Sequence, residues 1–211
     1  RRVLFRSEKV IWGFSVQTTK DFEIIIADDG SKEATKNLIE KYKTELDIPI
    51  IHVWQEDNGF QKSQILNKAI LASTTDYLIF TDGDCIPRKD FVETHLNNRE
   101  SGRFLSGGYF MLPMNISKLI SREDVLSQKC FDVNWLTQNG LKKSFKNNKL
   151  SAKAFKAKLL NFLTPTKPSW NGHNASGWKK DLVKINGFNQ EMQYGGQDRE
   201  LGERLENLGG D

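Results

Sequence analysis

Asp76-Tyr-Leu-Ile-Phe-Thr-Asp-Gly-Asp-Cys-Ile-Pro87 is the stretch on which the reading of the fold turns. Tyr77 to Phe80 is a short apolar run rich in β-formers, without Gly or Pro, and reads as a buried strand. Thr81-Asp82-Gly83-Asp84 follows at once, and Pro87 bars simple continuation of a hydrogen-bonded ladder. Two carboxylates therefore stand at the carboxyl end of a strand, where open α/β sheets bind their ligands. In extended backbone, residues i and i+2 point the same way, so Asp82 and Asp84 can face one hard cation. Oxygen donors suit Mg²⁺ or Mn²⁺, which complete their shells with substrate phosphates. A solvated turn also favours Asp and Gly, so the motif alone leaves that reading open.

Moving outward, the alternation continues in both directions. Residues 22–27, Phe-Glu-Ile-Ile-Ile-Ala, read as a buried parallel strand that runs into Asp28-Asp29-Gly30-Ser31, a second carboxylate pair at a strand end. Ahead of it, residues 7–17 read as a helix with Ser7 as its N-cap. After it, residues 32–46 read as a helix capped by Ser31 or Asp29. Residues 49–54 form the next expected strand and 60–73 the next helix, which delivers the chain to the central strand. Helices and strands that alternate in this way predict an α/β fold, with helices on both faces of a mainly parallel sheet.

Beyond Pro87 the pattern loosens. A short helix over 90–98, a strand over 104–112 with Gly107-Gly108 inside it, and a helical region over 117–138 are expected. Residues 151–163 read as a basic amphipathic helix. Packing on the sheet and contact with anionic lipid are both compatible with it. Residues 165–177 read as a loop, and Asn186-Gly-Phe-Asn189 as a turn. Tyr194-Gly-Gly-Gln-Asp198 reads as a glycine-rich entry to a last helix over 199–208, so Asp198 is either an N-cap or a carboxylate aimed into a cleft.

Composition narrows the class. A chain of 211 residues with 37% hydrophobic and 27% charged content reads as one soluble domain. No apolar run approaches the roughly 18 residues of a membrane span, and no secretory leader is visible. Cys85 and Cys130 have no CxxC spacing, which favours inert buried thiols and a reducing, cytoplasmic setting. The net charge of +4 conceals an asymmetry: residues 133–180 carry ten Lys and no Asp or Glu, leaving 21 basic and 27 acidic residues elsewhere. A local anionic contact is expected rather than a nucleic-acid-coating surface, since the basic excess is confined to one segment and that segment has no Arg.

Three strings occur in order: Ile24-Ile-Ile-Ala-Asp-Asp-Gly-Ser31, Thr81-Asp-Gly-Asp84, and Asn186-Gly-Phe188 followed by Gly195-Gly-Gln-Asp198. Together they resemble a family 2 glycosyltransferase of the GT-A fold, particularly bacterial surface-polysaccharide and lipopolysaccharide enzymes with a galactosyltransferase-like C-terminal region. The resemblance implies inverting sugar transfer from a nucleotide-sugar donor, such as a UDP-sugar, to a glycan or lipid-linked acceptor, with Mn²⁺ or Mg²⁺. It implies a contact from Asp29 to the nucleobase, ribose and metal contacts from Asp82, a metal contact from Asp84, and Asp198 as general base. Gly172 and Asn174 fall in a segment near the donor sugar. Gln197 stands where the pattern usually has Glu, and Lys62 is the basic group left in a helix that often carries Arg before Asn67. The chain divides into a nucleotide-sugar half over 1–112 and an acceptor-side half over 113–211, with a Lys-rich helical segment over 141–167. The resemblance also implies a strand before the first helix that residues 1–6 do not match, and a metal-binding His beyond Asp211. A fragment of low stability, peripheral on an anionic membrane face, is the corresponding expectation. Two other classes compete at this point. A nucleotidyltransferase would want a glycine-rich, basic phosphate loop, which is not visible; the other is a non-enzymatic, basic polysaccharide-binding protein.

Overall fold

Tyr77–Phe80 forms strand β3, with Leu78 buried. It belongs to a mixed α/β arrangement seen in the computed structural model, which describes residues 2–142, 144, 169–192 and 195–209. In chain order the elements begin with α1 (Arg2–Ser15), β1 (Ile24–Asp29), α2 (Glu33–Glu45), β2 (Ile50–Gln55) and α3 (Lys62–Ala72). After β3 come α4 (Phe91–Asn98), β4 (Leu105–Ser106), α5 (Met114–Leu119), α6 (Arg122–Leu126), a 3₁₀ turn (Lys129–Phe131) and α7 (Val133–Gln138). β5 (Ala175–Trp178), α8 (Lys179–Lys184) and α9 (Gln197–Leu208) complete the described chain.

β1 and β2 pair in parallel, from Ile24 opposite Ile50 to Asp29 opposite Gln55. The other three strands run in the order β3-β5-β4, with β5 antiparallel to both neighbours. Glu23, just before β1, accepts from the Thr74 N–H, just before β3, at 2.7 Å. At the opposite end, both strands deliver carboxylates to the start of α3. So β1 to β4 share one sense and β5 alone opposes them. Among the described residues, no strand pairs with the second edge of β1 or of β3.

β5 lies where the sequence reads as loop. Its Ala175 and Ser176 are fully buried, and a Cβ on Gly177 would lie 3.3 Å from the Trp170 ring. Small residues let the backbone pass between β3 and β4, and small residues carry no strand signal. β4 is correspondingly shorter than the strand expected over 104–112. The helical region expected over 117–138 is broken into short pieces, with Ser121 and Asp124 forming a reciprocal capping box on α6.

Two other expectations fail for local reasons. Ser7 is not an N-cap: α1 starts at Arg2, and Ser7 lies inside it, close to Gly83. Ser31 does not cap α2 either. Its hydroxyl goes to the Asp28 carboxylate, and Lys32 occupies the cap position without a side-chain bond.

One core joins β3, β5, α3, α8 and α9 through Ile70, Leu78, Trp170, Leu182, Phe188 and Leu201. A second joins α1, α2 and the first sheet through Ile11, Ile39, Tyr42 and Ile50. α1 docks against the chain after β3 because Gly13 lets Pro87 approach; a Cβ there would meet the proline ring at 2.6 Å. Buried Gln17 seals this join, donating to the Gly13 and Arg88 carbonyls and accepting from the Val92 N–H at 3.0 Å. No helix among the described residues is long and apolar enough to cross a membrane. The expected basic helix over 151–163, and most of the Lys-rich segment over 141–167, lie outside the described residues.

Candidate active site

The two carboxylates that end β1 divide their tasks. Asp28 is buried and accepts from His52 Nε2 at 2.8 Å and from the Ser31 N–H at 2.9 Å, so it pins the turn after the strand. Asp29 points the other way. Its two oxygens accept from Gln55 Nε2 at 2.6 Å and from the Gln61 N–H at 2.7 Å. Gln61 is the N-cap residue of α3, so Asp29 marks the place where β1 meets that helix.

Asp82 and Asp84 lie after β3 on the same side. Their side chains are 41% and 47% exposed, and each already has a cation beside it. Lys62, in the first turn of α3, reaches Asp82 Oδ1 at 3.2 Å, and Arg6 of α1 reaches Asp84 Oδ2 at 2.7 Å. Ligand atoms of Asp82, Asp84 and Cys85 lie within 4.8 Å of one another, close enough to surround a single ion. Burial, reinforced by the two carboxylates, pushes the Cys85 thiol up to about 11, so it stays protonated near neutral pH. Carboxylate oxygens are donors of the kind that suit a hard divalent cation. Lys62 is the basic group that the resemblance singles out in α3. Arg6 and Cys85 had no signal of their own.

Asp198 sits in the first turn of α9 and is not its cap. The cap is Gly196, at φ 78°, preceded by Gly195 at φ 71°; these left-handed positions explain the glycine pair. The Gly172 N–H donates to Asp198 Oδ2 at 3.2 Å, while Oδ1 is buried and has no partner among the described residues. Gln197, 7% exposed, likewise has no partner for its Oε1 among the described residues. Buried acceptors without donors are uncommon in folded proteins, and here two stand side by side at the start of α9.

Two polar clamps hold α9 in position. Arg204 donates to the carbonyls of Ile185 and Gly187 and pairs with Glu200. Asn67 of α3 closes a reciprocal pair with Phe188, donating to its carbonyl at 2.8 Å and accepting from its N–H at 2.7 Å. The turn Asn186-Gly187-Phe188 is thus fastened to both helices. Between α3 and this turn lies a polar cleft of 160 Å³, lined by Phe60, Gln61, Ser63, Gln64, Gln190 and Met192. Met192 approaches Gly196, so the cleft runs from the Asp29–Gln61 contact toward the entry to α9.

Both ends of the Asn174 amide are engaged. Its Nδ2 donates to the Gly108 carbonyl at 2.9 Å, and its Oδ1 faces Nε2 of His95 at 3.0 Å. On the other side of the same ring, Nδ1 faces Ser176 Oγ at 2.7 Å, and Ser176 in turn meets the Tyr77 hydroxyl at 2.7 Å. An Nε2–H tautomer satisfies every member of this chain. Burial pushes the His95 pKa below its ordinary value. No sequence pattern pointed to His95, a single His on a helix.

A model of the family described as "Glycosyl transferase family 2" matches residues 8–159. A chondroitin synthase of Escherichia coli is 24% identical over 208 residues, covering 90% of this chain and 28% of that protein. A hyaluronan synthase of Pasteurella multocida is 35% identical over 80 residues, covering 38% of this chain and 8% of that protein. The chain therefore spans less than a third of the length of either relative. In fold, it is similar to S. aureus TarS, with a TM-score of 0.55 at 14% identity, over 95% of this chain and 31% of that one.

Proposed function

The chain belongs to glycosyl transferase family 2, and from that premise we propose that it carries an inverting transferase site. That site moves a hexosyl or N-acetylhexosaminyl group from a UDP-sugar to a glycan or lipid-linked acceptor in cell-surface polysaccharide synthesis. The observation that carries the reading is the buried Oδ1 of Asp198, which has no partner among the described residues, beyond a polar cleft lined by Gln61, the partner of Asp29, and by Met192, the neighbour of Gly196.

The chemistry is a single displacement at the anomeric carbon. Asp198 takes the proton of the acceptor hydroxyl as that oxygen bonds to the anomeric carbon and the bond to the diphosphate breaks. The Gly172 N–H holds Asp198 Oδ2, which leaves Oδ1 free for the proton. Gln197 offers its buried carbonyl to a sugar hydroxyl. Asp29 receives the nucleobase side of the donor beside Gln61, and Lys62 contributes positive charge near the diphosphate. Asp82 and Asp84 would hold Mn²⁺ or Mg²⁺, which supplies Lewis-acid stabilisation of the departing diphosphate when bound. The relatives named as glycan synthases support a glycan acceptor. The Lys-rich segment supports peripheral contact with an anionic membrane face, as on the cytoplasmic side of a bacterial inner membrane.

Hydrolysis and transfer assays with several nucleotide sugars and Mn²⁺ test this reading. Asp198→Asn preserves the shape of the carboxylate and removes its basicity, so transfer falls by about 10²-fold or more while donor affinity is retained. Full transfer by that variant overturns the assignment of the base.

A further inference from the structure

Next to the Asp198–Gly172 contact stands an aromatic ledge that takes no part in the chemistry above. Tyr109 is 55% exposed, and its ring meets that of His173 edge to face, with centroids 4.6 Å apart and planes at 75°. His173 directly follows Gly172, whose N–H holds the carboxylate of Asp198. The two backbones that carry these rings are tied together. The Gly107 N–H donates to the Asn174 carbonyl at 2.8 Å, Asn174 Nδ2 donates to the Gly108 carbonyl at 2.9 Å, and Asn171 Nδ2 donates to Ser106 Oγ at 2.9 Å. Asn174 is itself fixed by buried His95. Gly107 packs so closely that a Cβ on it would lie 2.4 Å from Asn174 Nδ2.

A single exposed aromatic residue on a protein surface needs no explanation. This one differs, because hydrogen bonds at Gly107 and Gly108 fix the backbone just before it and a second ring packs against its own. Tyrosine in such a setting gives rigid, amphipathic contact area at little cost in conformational entropy. We propose that Tyr109 and His173 form the acceptor subsite, where the apolar C–H face of a pyranose ring lies against Tyr109. The proposal rests on the transferase reading of Asp198. A pyranose presents weakly positive C–H groups on one face and hydroxyls around its rim. The first suit the negative face of an aromatic ring. The second reach Asn171 and Ser106 beside the ledge and, through the neighbouring Gly172 that holds it, Asp198. The affinity lies with the ring face of Tyr109 and not with its hydroxyl, so Phe serves equally well.

Three tagged oligosaccharides serve as probes: chondroitin hexasaccharide, cellohexaose and maltohexaose, titrated with the whole chain by fluorescence anisotropy. At least one binds, Tyr109→Ala weakens it by about tenfold, and Tyr109→Phe stays within about twofold of wild type. Circular dichroism melts confirm that each variant folds. The subsite is overturned if wild type binds none of the three, if Tyr109→Ala binds as wild type does, or if Tyr109→Phe falls as far as Tyr109→Ala. UDP-sugar turnover is measured on the same samples. Turnover with no effect of Tyr109→Ala on glycan binding rejects the subsite and leaves the transferase reading standing. Tyr109-dependent glycan binding without turnover on any donor rejects the transferase reading and leaves a glycan site.

Discussion

Gly172→Ala tests whether the position of Asp198 matters as the geometry requires. A Cβ on Gly172 would lie 2.9 Å from both carboxylate oxygens and 3.2 Å from Cγ. Comfortable separations are about 3.5 Å, so the carboxylate, the loop, or both must move by about 0.5 Å. Overpacking of this kind costs about 1–3 kcal/mol. For a domain of this size that lowers the melting temperature by about 2–12 °C. A 1 Å misplacement near the chemistry costs about 10²-fold, so half that displacement predicts a kcat lower by about tenfold. Donor affinity should be unchanged, because Asp29 and Lys62, the donor-side residues of the proposed site, contact Gln61 and Asp82 and not Gly172 or Asp198. Saturating UDP-release kinetics give kcat, and calorimetry with UDP gives donor affinity. A double-mutant cycle with Asp198→Ala isolates the cause: once the carboxylate is gone, Gly172→Ala should add little further loss. A variant that retains full kcat, or loses the same factor with and without Asp198, refutes the reasoning.

The clamp on α9 makes a stability prediction: Asn67→Ala leaves the Phe188 N–H and carbonyl without their partner and should cost about 2–3 kcal/mol in urea unfolding. Asn67→Asp should recover only part of this, since a carboxylate cannot donate to the Phe188 carbonyl. The buried His95 makes a pH prediction. Its folded pKa lies below its ordinary value near about 6.5, so the unfolded chain binds the extra proton first. Stability from this residue is complete above that value and is lost as pH falls through the folded pKa. The wild-type melting temperature should therefore fall more steeply than that of His95→Gln between about pH 7 and 5. Parallel curves would remove His95 as the cause.

How much of this was legible in the sequence depended on how strongly each element signals its own burial. β1, β2 and β3 are runs of Ile, Val, Tyr and Phe between polar turns, and their signal survives in isolation. β5 is Ala-Ser-Gly-Trp, and its strand state comes from the neighbours that enclose it. The break-up of 117–138 was hidden for a related reason: local capping at Ser121 and Asp132 outweighs a mildly helical average. In the site, the carboxylates at strand ends were visible because a strand followed by Asp-Gly has a direction. The groups that hold them were not. Arg6 is paired with Asp84 across 78 positions, and His95 with Ser176 across 81. Nothing local to a residue specifies such a partner. The glycine pair before Asp198 was legible as a turn, while the role of Gly172 appears only once its hydrogen is seen to face Asp198.

The central claim, that the end of β3 holds a divalent cation for a nucleotide donor, is tested most directly by calorimetry of UDP with and without Mn²⁺. In wild type, Mn²⁺ should strengthen UDP binding by about tenfold or more. Asp84→Ala should abolish that dependence without loss of fold, since its side chain is 47% exposed and contributes little to the core. Equal UDP affinity in the presence and absence of Mn²⁺ in wild type, or an unaltered Mn²⁺ effect in Asp84→Ala, would contradict the account.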